Sequence, residues 1–344
     1  MNRRALPLLL ALVLAGCPAA RPGSGTTASA EETSGDDSSI QFEDEAAAAA
    51  APPASAELAA AESTIAEGRP LEARGMLERI VADHPDDLRA WLDLGLTREM
   101  LDDAAGAEEA YRSALRADAT FTEALNNLGA LQRDTDRLEE GIASLREAIR
   151  IRPGFASAHL NLGLALEDSG EDGAAETEYR TVMRLAPREP TSRTQLGLLI
   201  LARGDQAQAL IELRRALPLA ADDRAVLGAI GNGLRRAGDP AMAVRALTDA
   251  IEAEETPAPP PLTAELALAE FAAGSRPHAE ARLRELIAAE PSYASAHYLL
   301  ANMLAARQAW ADAATEYETF LRVAPRAPEA SEARGRLTYV RAQH

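Results

Sequence analysis

The chain contains no lysine: all 35 of its basic residues are arginine, a bias that a GC-rich genome explains without reference to function. Cysteine occurs once, at Cys17, so no internal disulfide can form. Aromatic residues are only 4% of the 344, and the 47% hydrophobic content is largely Ala and Leu, which suits helices rather than sheets and makes an all-α fold the leading expectation. Positive charge is scarce overall. The formal net charge is -19, and an acidic chain repels phosphate backbones where a nucleic-acid binder shows a basic face or stripe, so nucleic acid is discounted as a partner. The five histidines, His84, His159, His278, His297 and His344, show no H-x-x-x-H or His/Cys spacing suited to a metal. Phosphate loop, nucleophile elbow and dinucleotide fingerprint are all missing. Catalytic residues, metal and cofactor are therefore not expected, and the abundant Asp and Glu read as solvated helix faces. A permanent transmembrane helix is not expected either, because the apolar run Ala5 to Val13 is about half of the ~20 residues that span a bilayer.

What is present begins with that run. Arg3 and Arg4 precede it and Leu14-Ala15-Gly16-Cys17 comes after it, which is signal-peptide anatomy over residues 1–16. Leu14 to Cys17 resembles the lipobox of bacterial lipoproteins. The resemblance implies cleavage before Cys17, lipid on its thiol and acylation of the new amino terminus. Two or more acyl chains anchor stably where one does not, so membrane attachment through the lipid is expected without a spanning segment. By resemblance to enteric lipoproteins, Pro18 in place of Asp after the cysteine implies the outer membrane, facing the periplasm.

Residues 17–53 carry the lipidated Cys and then a stretch rich in Ala, Ser, Gly, Thr and Pro with the acidic residues Glu31, Glu32, Asp36, Asp37, Glu43, Asp44 and Glu45. Such a composition buries too little apolar surface to offset its ordering entropy, so a disordered tether is expected, with a reach of roughly 30–35 Å. Pro52 and Pro53 separate it from the remainder of the chain.

Beyond those two prolines the sequence repeats. Leu94-Gly95 recurs every 34 residues as Leu128-Gly129, Leu162-Gly163, Leu196-Gly197 and Ile230-Gly231. Each Gly is followed in step by a small residue (Ala107, Gly141, Ala175, Ala209, Ala243) and then a large one (Tyr111, Leu145, Tyr179, Leu213, Leu247). Prolines stand between units at Pro85, Pro153, Pro187, Pro291 and Pro325. The offsets are helical, and the unit is helix, turn, helix. With Trp91, Ala114 and the equivalents of each, these residues resemble the tetratricopeptide repeat, whose small positions allow two helices to approach closely. The resemblance implies a solenoid, a right-handed superhelix of about eight hairpins and a C-terminal cap helix. Units 1–6 span 54–257, units 7–8 span 258–327, and 328–344 form the capping helix and tail. The register slips by two residues at Thr256-Pro257-Ala258-Pro259-Pro260-Pro261, read as a longer inter-repeat loop in preference to a hinge or a proline-rich ligand.

His159 and His297 occupy the position of Trp91 and are read as core histidines. The resemblance further implies that first helices line a concave groove for an extended or helical segment of a partner. The candidate lining is Leu92, Leu96, Asn126, Arg133, Leu160, Leu164, Leu198, Asn232, Arg235, Tyr298 and Asn302, apolar with interspersed amides and a few guanidinium donors. Because lysine is absent, the lysine-based clamp that some members of that family use on a C-terminal carboxylate is not expected. The expected function is that of a membrane-anchored scaffold for other envelope proteins, serving a secretin or pilus, motility or peptidoglycan-enzyme machine; a peptidoglycan or glycan-binding accessory module is the alternative.

Overall fold

The computed structural model describes residues 55–220, 223–253 and 256–343. Cys17, the signal segment and the acidic tether lie outside them. Among the described residues the chain is α-helical throughout, apart from one 3-10 turn and the connecting loops.

Sixteen helices form eight antiparallel hairpins. They are α1 (Ala56–Ala66) with α2 (Pro70–Asp83), α3 (Leu88–Glu99) with α4 (Ala104–Ala117), and α5 (Thr122–Asp134) with α6 (Leu138–Ile151). Next come α7 (Ala156–Asp168) with α8 (Asp172–Leu185), α9 (Pro190–Ala202) with α10 (Gln206–Ala216), and α11 (Arg224–Arg236) with α12 (Pro240–Glu252). The last two are α13 (Pro260–Ala272) with α14 (Arg276–Ala289) and α15 (Ala294–Ala306) with α16 (Trp310–Val323), closed by the cap helix α17 (Ala330–Arg341).

Short polar residues start many of these helices. The carboxylates of Asp87, Asp103, Asp205, Asp223 and Asp239 and the hydroxyl of Ser55 each accept a backbone N–H three residues on, at 2.9–3.1 Å, which satisfies one of the unpaired amides of a helix N-terminus. Within each hairpin the turn carries one residue in the left-handed region: Gly68, Gly170, Gly204, Gly238 and Gly274, but Asp102, Asp136 and Gln308 in hairpins 2, 3 and 8. Glycine costs nothing there, and the other three are held in a conformation that L side chains resist.

Packing explains the 34-residue register. A Cβ on Gly129, Gly163, Gly197 or Gly231 would lie 2.5–2.8 Å from the side chain of Leu145, Tyr179, Leu213 or Leu247 respectively, so the first helix must present hydrogen there. Tyr111, Leu145, Tyr179, Leu213 and Leu247 are all 0% exposed, each filling its hairpin interior. Pairs of first helices also touch, α5 with α7 and α9 with α11 among them, so the interior continues from unit to unit.

Two joints depart from the pattern. α10 stops at Ala216, and the 3-10 turn Leu217–Leu219, which contains Pro218, replaces its last turn. The loop before α13, where the register slips, is fastened by Arg224: its guanidinium donates to the carbonyl of Ala250 at 3.1 Å and to the hydroxyl and carbonyl of Thr256 at 2.9 and 2.8 Å. The longer loop expected from the sequence is thus a pinned one.

Candidate partner-binding face

All eleven residues of the expected groove lie on first helices: Leu92 and Leu96 on α3, Asn126 and Arg133 on α5, Leu160 and Leu164 on α7, Leu198 on α9, Asn232 and Arg235 on α11, and Tyr298 and Asn302 on α15. Asn126 is buried and the other ten are half-buried. None of the eleven falls on α1 or α13.

The leucines are only partly available. Leu92 packs against the core around Tyr111 and Leu128, Leu160 and Leu164 against that around Tyr179 and Leu196, and Leu198 against that around Leu227 and Ile230. Tyr298 meets Tyr317 edge-on and Phe320 at a tilt, with ring centroids 6.2 and 5.1 Å away.

Four of the polar members, Asn126, Arg133, Arg235 and Asn302, are engaged with other residues of the array. Asn126 accepts from Asn161 Nδ2 on the next first helix at 2.9 Å and donates to Asn127 Oδ1 at 2.9 Å, so three amides from hairpins 3 and 4 form one chain. Arg133 pairs with Asp134 at 2.7 Å and with Asp168 of the following hairpin at 3.6 Å. Arg235 pairs with Glu265 on α13 at 3.0 Å. The Asn302 oxygen accepts from the Tyr317 hydroxyl at 2.6 Å and from Arg336 of the cap helix at 2.9 Å. The guanidinium donors that the sequence offers to a partner carboxylate thus already hold carboxylates of the array, and a partner would have to exchange for them.

Carboxylates that sequence reasoning passed over dominate the electrostatics of this face. Glu99 and Glu167, at the last turns of α3 and α7, accept from the hydroxyls of Tyr111 and Tyr179, the latter at 2.8 Å. Burial raises the pKa of both glutamates, partly offset by those hydroxyls. Burial also raises Asp168, with Arg133 opposing. Asp93 on α3 is pushed up to about 7, first by burial and then by the neighbouring Glu62 of α1, and its Oδ2 is buried without a hydrogen-bond partner. The signal in the sequence was the spacing: Asp93, Asn127 and Asn161 stand one repeat apart.

Among the described residues no helix is long and apolar enough to cross a membrane, and no three His, Cys, Asp or Glu are placed to hold a metal ion.

The family model described as tetratricopeptide repeat matches residues 58–120, 126–190 and 264–319, more than half of the chain. The chain belongs to the tetratricopeptide repeat family. Its fold is accordingly that of a protein–protein interaction scaffold. Curated proteins provide no match. Solved structures do. A chain of the APC/C hetero-tetramer Cut9-Hcn1 is 16% identical with a TM-score of 0.59; the alignment covers 83% of this chain and 55% of that one, so this repeat array spans little more than half of its length. A tetratricopeptide repeat protein from Parabacteroides merdae ATCC 43184 is 18% identical with a TM-score of 0.50, over 74% of this chain and 98% of that one. PilW, a type IV pilus biogenesis factor, is 19% identical with a TM-score of 0.50, over 57% and 91%. At such identities the likeness is one of fold.

Proposed function

We propose that this tetratricopeptide repeat protein is a non-catalytic scaffold of the bacterial envelope, held on the periplasmic side of the outer membrane by lipid on Cys17 and binding a segment of another envelope protein along its first helices. The observation that carries the reading is the conjunction of Leu14-Ala15-Gly16-Cys17 behind a short apolar run with an eight-hairpin array that begins after an acidic, Pro-interrupted segment. An anchor, a tether of roughly 30–35 Å reach and a long recognition surface suit assembly of a secretin or pilus, a motility machine or a peptidoglycan-enzyme complex. The likeness to PilW is compatible with the first of these.

One observation favours the second reading, a glycan-binding accessory role. Trp310 and Tyr339 meet edge-on, 6.0 Å between ring centroids; Trp310 is half-buried and Tyr339 59% exposed, and an exposed ring backed by a second aromatic suits a sugar ring.

Two experiments test the proposal. Cys17→Ser is expected to release the protein from membranes or leave its precursor uncleaved; continued anchoring refutes the lipid attachment. Gentle crosslinking in intact envelopes, followed by capture, is expected to return one specific protein partner. Recovery of none, together with retention on purified peptidoglycan that Tyr339→Ala abolishes, replaces the scaffold with the glycan reading.

A further inference from the structure

A ring N–H closes the loop that enters three of the eight hairpins. Trp91 Nε1 donates to the carbonyl of Pro85 at 2.9 Å. His159 and His297 stand at the same repeat position and place Nε2 at 2.9 and 3.1 Å from the carbonyls of Pro153 and Pro291, six residues earlier in each case. An indole has one polar atom and is satisfied by that bond. An imidazole has a second, and in both hairpins Nδ1 lies 2.6 Å from a carboxylate 19 residues on, Glu178 or Glu316. Hairpin 5 meets the equivalent carboxylate with a permanent cation, Arg193 to Glu212 at 2.7 Å.

The chemistry of the acceptors decides what the imidazoles are. A carbonyl oxygen only accepts, and an ionised carboxylate only accepts. A ring that donates to both carries a proton on each nitrogen and is an imidazolium. Once neutral, it turns a lone pair toward one of the two oxygens and loses that bond. Both rings are buried, 8% and 5% exposed, so water does not easily replace it.

We propose that His159 is a proton-operated latch: charged, it ties its proline loop to the second helix of its own hairpin, and neutral, it lets that loop go, so that the joint before hairpin 4 tightens as pH falls. The groups around the latch are of both signs. For His159, Glu178 and the opposing Arg184 come from α8, the Pro153 carbonyl from the loop after α6, and Arg152 of that loop lies over the Phe155 ring and is paired with Glu123 of α5. The Glu178 hydrogen bond raises the pKa of His159, burial opposes it, and the Pro153 carbonyl adds to the rise. A histidine raised on folding contributes stability that is complete below its unfolded value, about 6.5, and is lost as pH climbs through the folded one.

In the Asp93→Asn background, Trp91 provides an internal control, since its loop is then closed without the raised Asp93 carboxyl beside it. In the full chain, an imidazole NMR titration is expected to give His159 a midpoint above about 6.5. Amide protection over residues 153–159, corrected for intrinsic exchange, is expected to fall about tenfold between about pH 6 and about pH 8.5, with residues 85–91 unchanged. Glu178→Gln is expected to lower the His159 midpoint by about one unit. His159→Trp, the side chain used by hairpin 2, is expected to abolish the pH dependence over 153–159. A His159 midpoint at or below about 6.5 overturns the proposal, as does an equal loss of protection at the Trp91 loop. If His159→Trp does not fold, Glu178→Gln decides: an unmoved midpoint overturns it.

Discussion

From residue 55 to 187 the array carries 27 acidic residues against 14 arginines, and from 188 to 343 it carries 20 against 18. The strongly acidic half, hairpins 1–4, nevertheless keeps the stricter register, and the family model follows it almost without interruption over 58–120 and 126–190 before resuming only at 264. The nearly neutral half contains both irregular joints: the truncated α10, beside which a cavity of about 270 Å³ opens among Leu217, Pro218, Leu227 and Met242, and the lengthened loop pinned by Arg224. Like charges on a solvated array are screened within about 10 Å, whereas a side chain forced into a filled interior has nowhere to go. Register is kept by steric contact and broken by proline, and net charge has little part in it.

The largest effect tests that conclusion. Gly163→Ala places a methyl 2.6 Å from the ring of Tyr179, which is 0% exposed and tied through its hydroxyl to Glu167. A loss of about 2–3 kcal/mol is expected in urea unfolding. In the second half, Gly231→Ala meets the branched end of Leu247, which can change rotamer, and the loss is expected to be nearer 1 kcal/mol. Gly173, in the same hairpin as Gly163, has open space around it, so Gly173→Ala is expected to cost nothing. Equal losses at Gly163 and Gly173 would mean that close approach does not distinguish the two glycines, since helix propensity favours alanine at both.

Next in size is Arg224→Ala, which releases the loop before α13. About 1–2 kcal/mol is expected, with amide exchange rising over 250–260 and unchanged in hairpins 1–4. A uniform rise along the chain would show that the second half has no local weak point.

Asp93→Asn acts in the first half and depends on pH. The Asp93 carboxyl is raised to about 7, so the folded state holds a proton that the unfolded state gives up from about pH 4, and native stability falls as pH rises through that window. Removing the charge is expected to stabilise by about 1–2 kcal/mol at about pH 8 and by almost nothing near pH 4. Asparagine at this position also matches Asn127 and Asn161, so the gain should persist in high salt, where simple relief of surface repulsion would be screened away.

These residues also show where sequence reasoning stopped. Gly163 and Tyr179 were legible because a steric requirement repeats at fixed spacing whatever the neighbours are. Asn126, Arg133, Arg235 and Asn302 were legible as positions, on first helices, but their bonds to Asn161, Asp168, Glu265 and Arg336 were not. Each of those partners comes from a later hairpin or the cap helix, and which side chains meet across a joint depends on how hairpins rotate against each other. His159 and His297 are legible as buried packing residues, while their carboxylate partners stand 19 residues away on the facing helix, outside any local motif. Pro218 is not legible as a break in α10, because it falls near a helix end that every unit already supplies.

The smallest effect compares a turn of the first half with two of the second. Asp136 holds φ at 61° in hairpin 3 where Gly204 and Gly238 do the same work at 92° and 96° in hairpins 5 and 6. Asp136→Gly removes the crowding of a Cβ in the left-handed region but also loosens the unfolded chain, and aspartate tolerates this region better than most residues, so the two changes nearly cancel. A gain of no more than about 0.5 kcal/mol is expected, while Gly204→Ala, with only the penalty, is expected to cost about 1 kcal/mol. If Asp136→Gly stabilised by as much as Gly204→Ala destabilises, the turn of hairpin 3 would be storing strain that the glycine turns of hairpins 5 and 6 do not, and the stricter register of the acidic half would hold in spite of that turn.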